Sequence, residues 1–249
     1  MSKYLGLILA IIGIVSIVLF TLVYPPSENL VSAWLIWSAL SVSLVLPLAG
    51  LGIALSLVSI RLVFASGVFF LVGFYLGLIN YSKVWMFFTD SLSSSEHLYL
   101  TLPLSSFFVA LLLLSSNLIR KWLIIPIAGI IASMLAISIK LTDPTLHDPL
   151  IPKLGLLVAI WIILSFMLNV RSFYRPWFSI AIKIFASWLL AGSILYGGSI
   201  LAIKYGFIPS KSSPSKLKED EVIPTEDILI PDFTQIDYND SLIKKGLNS

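Results

Sequence analysis

The polar residues that could do chemistry in this chain are few, and the densest group is the heptapeptide DPTLHDP at positions 143–149. It contains Asp143, His147 and Asp148, and the second of the chain's two histidines, His97, lies in another polar stretch. Carboxylate oxygens and imidazole nitrogens are ligands for divalent cations, so these four residues are the candidate metal ligands. The alternative is a plain loop, because Asp-Pro pairs commonly end one helix and open the next.

The sequence offers few residues for other kinds of catalytic chemistry. The chain contains no cysteine, which excludes disulfides and thiolate sites. No Asp, Glu or His falls inside its long apolar segments, whereas a serine nucleophile needs a neighbouring base and proton-coupled transport commonly uses buried ionisable groups. We expect no catalytic residue and no cofactor, although His97 and His147 with their acidic neighbours leave a lipid-modifying enzyme open.

The elements that must position these residues are apolar helices. Hydrophobic residues make up 58% of the 249-residue chain and charged residues 12%, with a mean hydropathy of +0.99. Since one bilayer crossing takes about 20 apolar residues, the sequence predicts an all-α integral membrane protein, a polytopic bundle of about seven transmembrane helices in residues 1–204. The predicted spans are 4–24, 30–57, 62–80, 100–119, 122–140, 154–170 and 178–203.

The charges between these spans predict an orientation. Basic residues in short loops favour the cytoplasm, and the loops on the side of the N-terminus carry Lys3, Arg61, Arg120, Lys121, Arg171 and Arg175 and no acid. The opposite side carries the acids of residues 1–204 and both histidines. We therefore expect a bacterial inner (plasma) membrane protein with a cytoplasmic N-terminus and an extracytoplasmic C-terminus.

Three basic residues near the last span are candidate contacts for anionic lipid. Lys183 is the one charge inside a predicted span, about one and a half turns from its start, and Arg171 and Arg175 precede it. One interpretation is that the lysine extends its side chain to the interface. The other is that the three residues bind an anionic head group in a basic pocket between helices.

The second predicted span carries Pro47, Gly50 and Gly52, which favour a kink or a break. Gly67, Gly73 and Gly77, with Ala186, Gly192, Gly197 and Gly198, are small enough to allow close helix approach. The GxxxG spacing of Gly73 and Gly77 is interpreted as internal packing.

Residues 205–249 differ in character, with five lysines against eight acids. They are too poor in apolar residues to form a core of their own, so we expect a polar, largely extended tail. It is either disordered or binds a partner, for instance by adding a strand to another protein's sheet. The candidate partner-binding residues are Ile228, Ile230, Phe233, Ile236 and Tyr238.

The stretch RPWFSIAIKIFASWLLAGSILYGG, at positions 175–198, resembles the final helix of some HupE/UreJ-type small membrane proteins. That family is associated with nickel or cobalt uptake and carries a motif with histidine and aspartate in its first membrane helix. The first span here contains neither residue, so no site residue is transferred.

These features give one leading function and two alternatives. The leading hypothesis is a non-catalytic accessory or scaffold subunit of a larger membrane complex, with the tail tethering a partner. Its expected partners are membrane lipids and other membrane or extracytoplasmic subunits, and no nucleic acid. The first alternative is a permease for a small uncharged, lipidic or divalent-metal substrate, with its site at a broken second span. The second is the lipid-modifying enzyme.

Overall fold

The computed structural model describes residues 4–91, 97–145, 149–173, 175 and 177–204. Over these ranges the chain is helical and contains no strand. The helices are α1 (Leu5–Val23), α2 (Leu30–Trp34), α3 (Val42–Ser56), α4 (Ile60–Ser91), α5 (His97–Leu114), α6 (Asn117–Thr142), α7 (Leu150–Phe173) and α8 (Phe178–Lys204), and a π-helical turn (Leu35–Ala39) follows α2. The predicted tail and its candidate partner-binding residues lie outside the described residues.

Length and composition support the membrane class, with five or six candidate spans among the described residues. Among the described residues, five helices are long and apolar enough to cross a bilayer, namely α1, α6, α7 and the major parts of α4 and α8. The bent pair formed by α2 and α3 would be a sixth. In α5 the apolar helix over Pro103–Leu114 is too short to qualify. Only 6% of the apolar stretch of α1 is buried although its mean hydropathy is 2.9, a surface that is compatible with contact to lipid.

The second predicted span is broken, but not where the sequence indicated. The π-helical turn ends at Ala39, and the amide of the next residue, Leu40, donates to the carbonyl of Leu35 at 3.1 Å. The axis bends by 62° between Ala39 and Val42. Helix α3 then runs unbroken through Pro47. Gly50 and Gly52 lie within this continuous helix, where they allow close contact with its neighbours. A Cβ on Gly52 would lie 2.6 Å from the carbonyl oxygen of Ile163 in α7, and one on Gly50 would overlap Val109 in α5.

Among the described helices, α4 and α6 share the most extensive contact, and the glycines of the GxxxG spacing lie in it. A Cβ on Gly73 would overlap the backbone carbonyl of Gly129, and one on Gly77 would lie 2.6 Å from the carbonyl oxygen of Ser133. Both neighbours belong to α6, so the interpretation of this spacing as internal packing is confirmed. Gly67, one turn and a half earlier in α4, faces open space, with no atom within 4 Å of where a Cβ would lie.

The core lies among α3, α5, α6 and α7, and α1, α4 and α8 pack around it. Leu51 of α3, Val109 of α5, Ile124 of α6 and Ile151 of α7 are all fully buried. Helix α8 packs on α5 and contributes Ala186, which is also fully buried. The two ends of this core therefore fix where the loops and their polar residues meet.

The first helix docks on α7 through a glycine contact. The indole Nε1–H of Trp161 donates a hydrogen bond to the carbonyl oxygen of Leu9 at 3.0 Å. Gly13 lies against that indole, and a Cβ on it would overlap Trp161 Nε1. The absence of a side chain at position 13 is therefore what lets the two helices pair here.

We expect Gly13→Ala to loosen α1 selectively. Overpacking a close contact costs about 1–3 kcal/mol, so amide hydrogen exchange across residues 5–23 should quicken about tenfold while exchange in α6 is unchanged. Gly192→Ala is the matched control, because it adds the same methyl group at a glycine with open space where a Cβ would lie, and it should leave exchange in α1 unchanged. Equal α1 exchange in Gly13→Ala and wild-type protein would contradict the contact.

Candidate functional site

The candidate metal ligands are only partly within the described residues. His147 and Asp148 lie outside them, and of His97 only its place at the start of α5 is described. Asp143 follows the last residue of α6, where its Oδ1 accepts hydrogen bonds from Thr145 N at 2.9 Å and from Thr145 Oγ1 at 2.6 Å. That is a local turn of the kind Asp commonly makes. Within the described ranges no three His, Asp or Glu residues are grouped to hold a metal, and the metal site stays a prediction.

The basic residues meet at the opposite end of the bundle, where short connections join α3 to α4, α5 to α6 and α7 to α8. The turn between α5 and α6 lies at Ser115–Ser116. The predicted spans had placed it at Arg120–Lys121. Arg120 is inside the first turn of α6 and only 8% exposed. A charged pair between apolar runs is typical of a loop, and the structure instead uses the arginine to close a helix end.

Arg120 binds the C-terminal end of α5. Its Nε donates to the carbonyl of Leu112 at 3.1 Å, and its Nη2 donates to the carbonyls of Leu113 and Ser115 at 3.0 and 2.8 Å. Its Nη1 donates to Asn117 Oδ1 at 3.3 Å. The last carbonyls of a helix lack intrahelical partners and carry partial negative charge, so one guanidinium both satisfies and neutralises them.

Arg171 does the same for α3, reaching across from the end of α7. Its Nη2 donates to the carbonyls of Val58 at 2.6 Å and Leu55 at 3.2 Å, and its Nε donates to that of Ser56 at 3.2 Å. This arginine was a predicted lipid contact, and its hydrogen bonds in the structure go to a helix end. Arg175, the second predicted contact, is exposed in the connection between α7 and α8.

Lys183, the third predicted contact, is exposed and lines a cavity of about 480 Å³ at this end. The cavity lies where α3 and α5 end and α6 and α8 begin. Its polar lining residues are Ser56, Asn117, Arg120, Ser179 and Lys183. Sequence reasoning identified only Lys183 as a candidate here, because the other four come from three helices, α3, α6 and α8, and share no motif.

A second cavity, of about 340 Å³, forms a groove between α4 and α7 and is almost entirely apolar. Phe64 and Val68 of α4 and Leu164 of α7 line it, with Ser66 and Gly67 between them. Ser66 is 1% exposed, and its hydroxyl has no hydrogen-bond partner among the described residues. We refer to this feature as the α4/α7 groove.

A third cavity, of about 570 Å³, lies beside the break in the second span. Ser43 in the first turn of α3 lines it together with Ser106 of α5 and Trp188, Gly192 and Tyr196 of α8. The start of α3 thus faces a cavity between the N-terminal half of α5 and the middle of α8.

Comparison of the chain with models of known protein families, with curated proteins and with solved structures finds no match. The resemblance of residues 175–198 to the HupE/UreJ-type proteins is therefore not supported by a family match.

Proposed function

We propose that this chain is a non-catalytic accessory subunit of a larger membrane complex, and that it binds a transmembrane helix of a partner subunit in the α4/α7 groove. The observation that carries the proposal is that Gly67, which lines the groove, contacts no neighbouring helix. Gly73 and Gly77 of the same helix are occupied by α6, whereas Gly67 has open space where its side chain would be. Small residues on a lipid-facing surface allow a second helix to approach closely.

The open space at Gly67 favours a helix over a lipid as the occupant, because a glycine on a helix surface lets the backbone of a second helix approach closely. The hydroxyl of Ser66 is enclosed by this chain, out of reach of the occupant.

The remaining parts of the proposal come from the sequence. We propose seven spans in a bacterial plasma membrane, with the basic helix ends in the cytoplasm, because Arg120, Lys121 and Arg171 cluster at one end of the bundle. The C-terminal tail is proposed to lie outside the cytoplasm and to tether an extracytoplasmic partner through residues 222–240.

The test is to purify the tagged protein in a mild detergent at native expression level and to identify by mass spectrometry every chain that accompanies it. We expect a fixed set of stoichiometric partners. Gly67→Leu fills the groove and should reduce the bound partner about fivefold or more. Gly192→Leu is the matched control, because Gly192 also has open space where a Cβ would lie but belongs to α8; it should retain the full set.

Each failure has a separate meaning. Purification of the wild-type chain alone or as a homo-oligomer would show that it is not an accessory subunit. Full retention of partners by Gly67→Leu would show that the interface is elsewhere. A chain truncated after Lys204 tests the tail in the same experiment, since an unchanged partner set would exclude the tether.

The second candidate function is a permease, and the break in the second span favours it. Discontinuous helices in transporters place a helix end at the substrate site, and the start of α3 faces the 570 Å³ cavity. Native mass spectrometry of the purified chain would then detect a bound small molecule that Gly192→Leu loses and Gly67→Leu keeps. The same pair of variants therefore separates the two functions.

A further inference from the structure

Four helix ends surround the 480 Å³ cavity, and their charges decide what it can bind. Helices α3 and α5 end there, each with partly negative carbonyls, and α6 and α8 begin there, each with partly positive amides. Taken alone, the two kinds of helix end cancel. The charged side chains at the cavity therefore determine its sign.

Arginines neutralise both negative helix ends. Arg120 covers the end of α5 and Arg171 the end of α3, each with three hydrogen bonds to backbone carbonyls. The amides at the start of α6 have no such cover, because the Ser116 side chain that precedes them makes no capping hydrogen bond. The acids of the described residues, Glu28, Asp90 and Asp143, lie at the opposite end of the bundle, by the start of α2 and the ends of α4 and α6. The cavity is therefore positive.

Two side chains supply hydrogen-bond donors to its interior. The Lys183 ammonium carries three donors, and the residue lies about 1.5 turns into α8, within reach of the cavity that it lines. Asn117 Oδ1 accepts from Arg120, so the NH₂ group of the same amide is directed away from the arginine and offers two more donors. Donors on an amide and an ammonium at a helix N-terminus are the arrangement that phosphate oxygens accept from.

We infer that this cavity binds a phosphate group, with Lys183 as its counter-ion and Asn117 as a neutral donor. A cavity of about 480 Å³ is within the size range of small-molecule sites, so it holds the phosphate together with the small group esterified to it. The phosphate is that of an anionic phospholipid head group or of a soluble phosphate compound. The site is independent of the α4/α7 groove and survives if the accessory function is wrong.

The experiment measures the thermal unfolding midpoint of the full chain in a non-ionic detergent with three probes. They are phosphatidylglycerol, phosphatidylcholine with the same acyl chains, and inorganic phosphate. Phosphatidylglycerol is expected to raise the midpoint roughly with the logarithm of its concentration above Kd, and phosphatidylcholine to raise it less. A rise with inorganic phosphate equal to that with phosphatidylglycerol identifies a soluble ligand, and a rise with the lipid alone identifies a head group.

Lys183→Gln should weaken the binding about fivefold, the effect of one lysine next to an anionic head group. Lys121→Gln is the matched control: it removes the same charge at the same end of the bundle, from an exposed position that does not line the cavity. Asn117→Asp places a negative charge beside the phosphate and should weaken binding at least as much. No midpoint shift with phosphatidylglycerol or inorganic phosphate, or equal weakening by Lys183→Gln and Lys121→Gln, would overturn the inference.

Discussion

The double substitution Gly73→Ala/Gly77→Ala is expected to destabilise the bundle by about 1–3 kcal/mol per site. Both methyl groups would meet backbone atoms of α6, at Gly129 and Ser133. Backbone cannot rotate out of the way as a side chain can, so α4 has to move away from α6 and lose the contacts between them. The measurement is the unfolding midpoint by circular dichroism in detergent, during heating or an SDS titration.

The matched control is Gly192→Ala/Gly198→Ala on α8. At neither position does any atom lie within 4 Å of the added methyl group, and alanine favours a helix over glycine by about 1 kcal/mol. This pair should leave the midpoint unchanged or raise it. A similar loss from both double variants would mean that the effect of a methyl group on α4 is not due to its contact with α6.

The same glycines show what sequence patterns establish about this fold. The spacing of Gly73 and Gly77 predicts that some helix packs closely at this position, because only a close neighbour makes use of a missing side chain. The spacing does not predict which helix is the neighbour. The contacts of both glycines are with backbone atoms of α6, and every helix has the same backbone atoms. Pro47, Gly50 and Gly52 misled for a related reason: two glycines that suggested a break are close contacts in a continuous helix.

The charge pattern predicted which residues lie together at one end of the bundle better than it predicted the exact positions of the turns. The clustering of Arg120, Lys121 and Arg171 at one end agrees with their placement at helix ends. The exact turn was missed, because a pair of charges predicts solvent whereas Arg120 is buried against the carbonyls of α5. A guanidinium has five donors and can bond several carbonyls at a helix end at once. A hydropathy scale does not include such hydrogen bonds, so it does not predict a buried arginine here.

The phosphate cavity was predictable only in part. Lys183 could be identified because a single charge in an apolar span is unusual and needs a reason. Asn117 and Ser179 are ordinary residues at helix starts, and they belong to the cavity only because α6 and α8 begin side by side with the ends of α3 and α5. That arrangement follows from tertiary packing between helices that are distant in the sequence.

Arg120→Met is expected to be the most destabilising single substitution at the end of the bundle where α5 meets α6. Methionine keeps much of the apolar volume but donates no hydrogen bond, so the carbonyls of Leu112, Leu113 and Ser115 lose the guanidinium. A buried acceptor without a partner costs about 1–3 kcal/mol, and bonds to charged groups are at the strong end of that range. The expected loss of unfolding free energy is therefore about 2–5 kcal/mol, measured by the same SDS titration.

Lys121→Met is the control, because it removes the neighbouring charge from an exposed position and should change stability by less than about 0.5 kcal/mol. Arg120→Lys should fall between the two, since an ammonium keeps the charge but lacks the planar donors that reach three carbonyls. The ranking matters for the cavity as well, because a guanidinium that holds the end of α5 also removes its negative charge from the phosphate site. If Arg120→Met were no less stable than Lys121→Met, the carbonyls would not depend on the arginine, and the electrostatic argument for an anion at Lys183 would lose its first step.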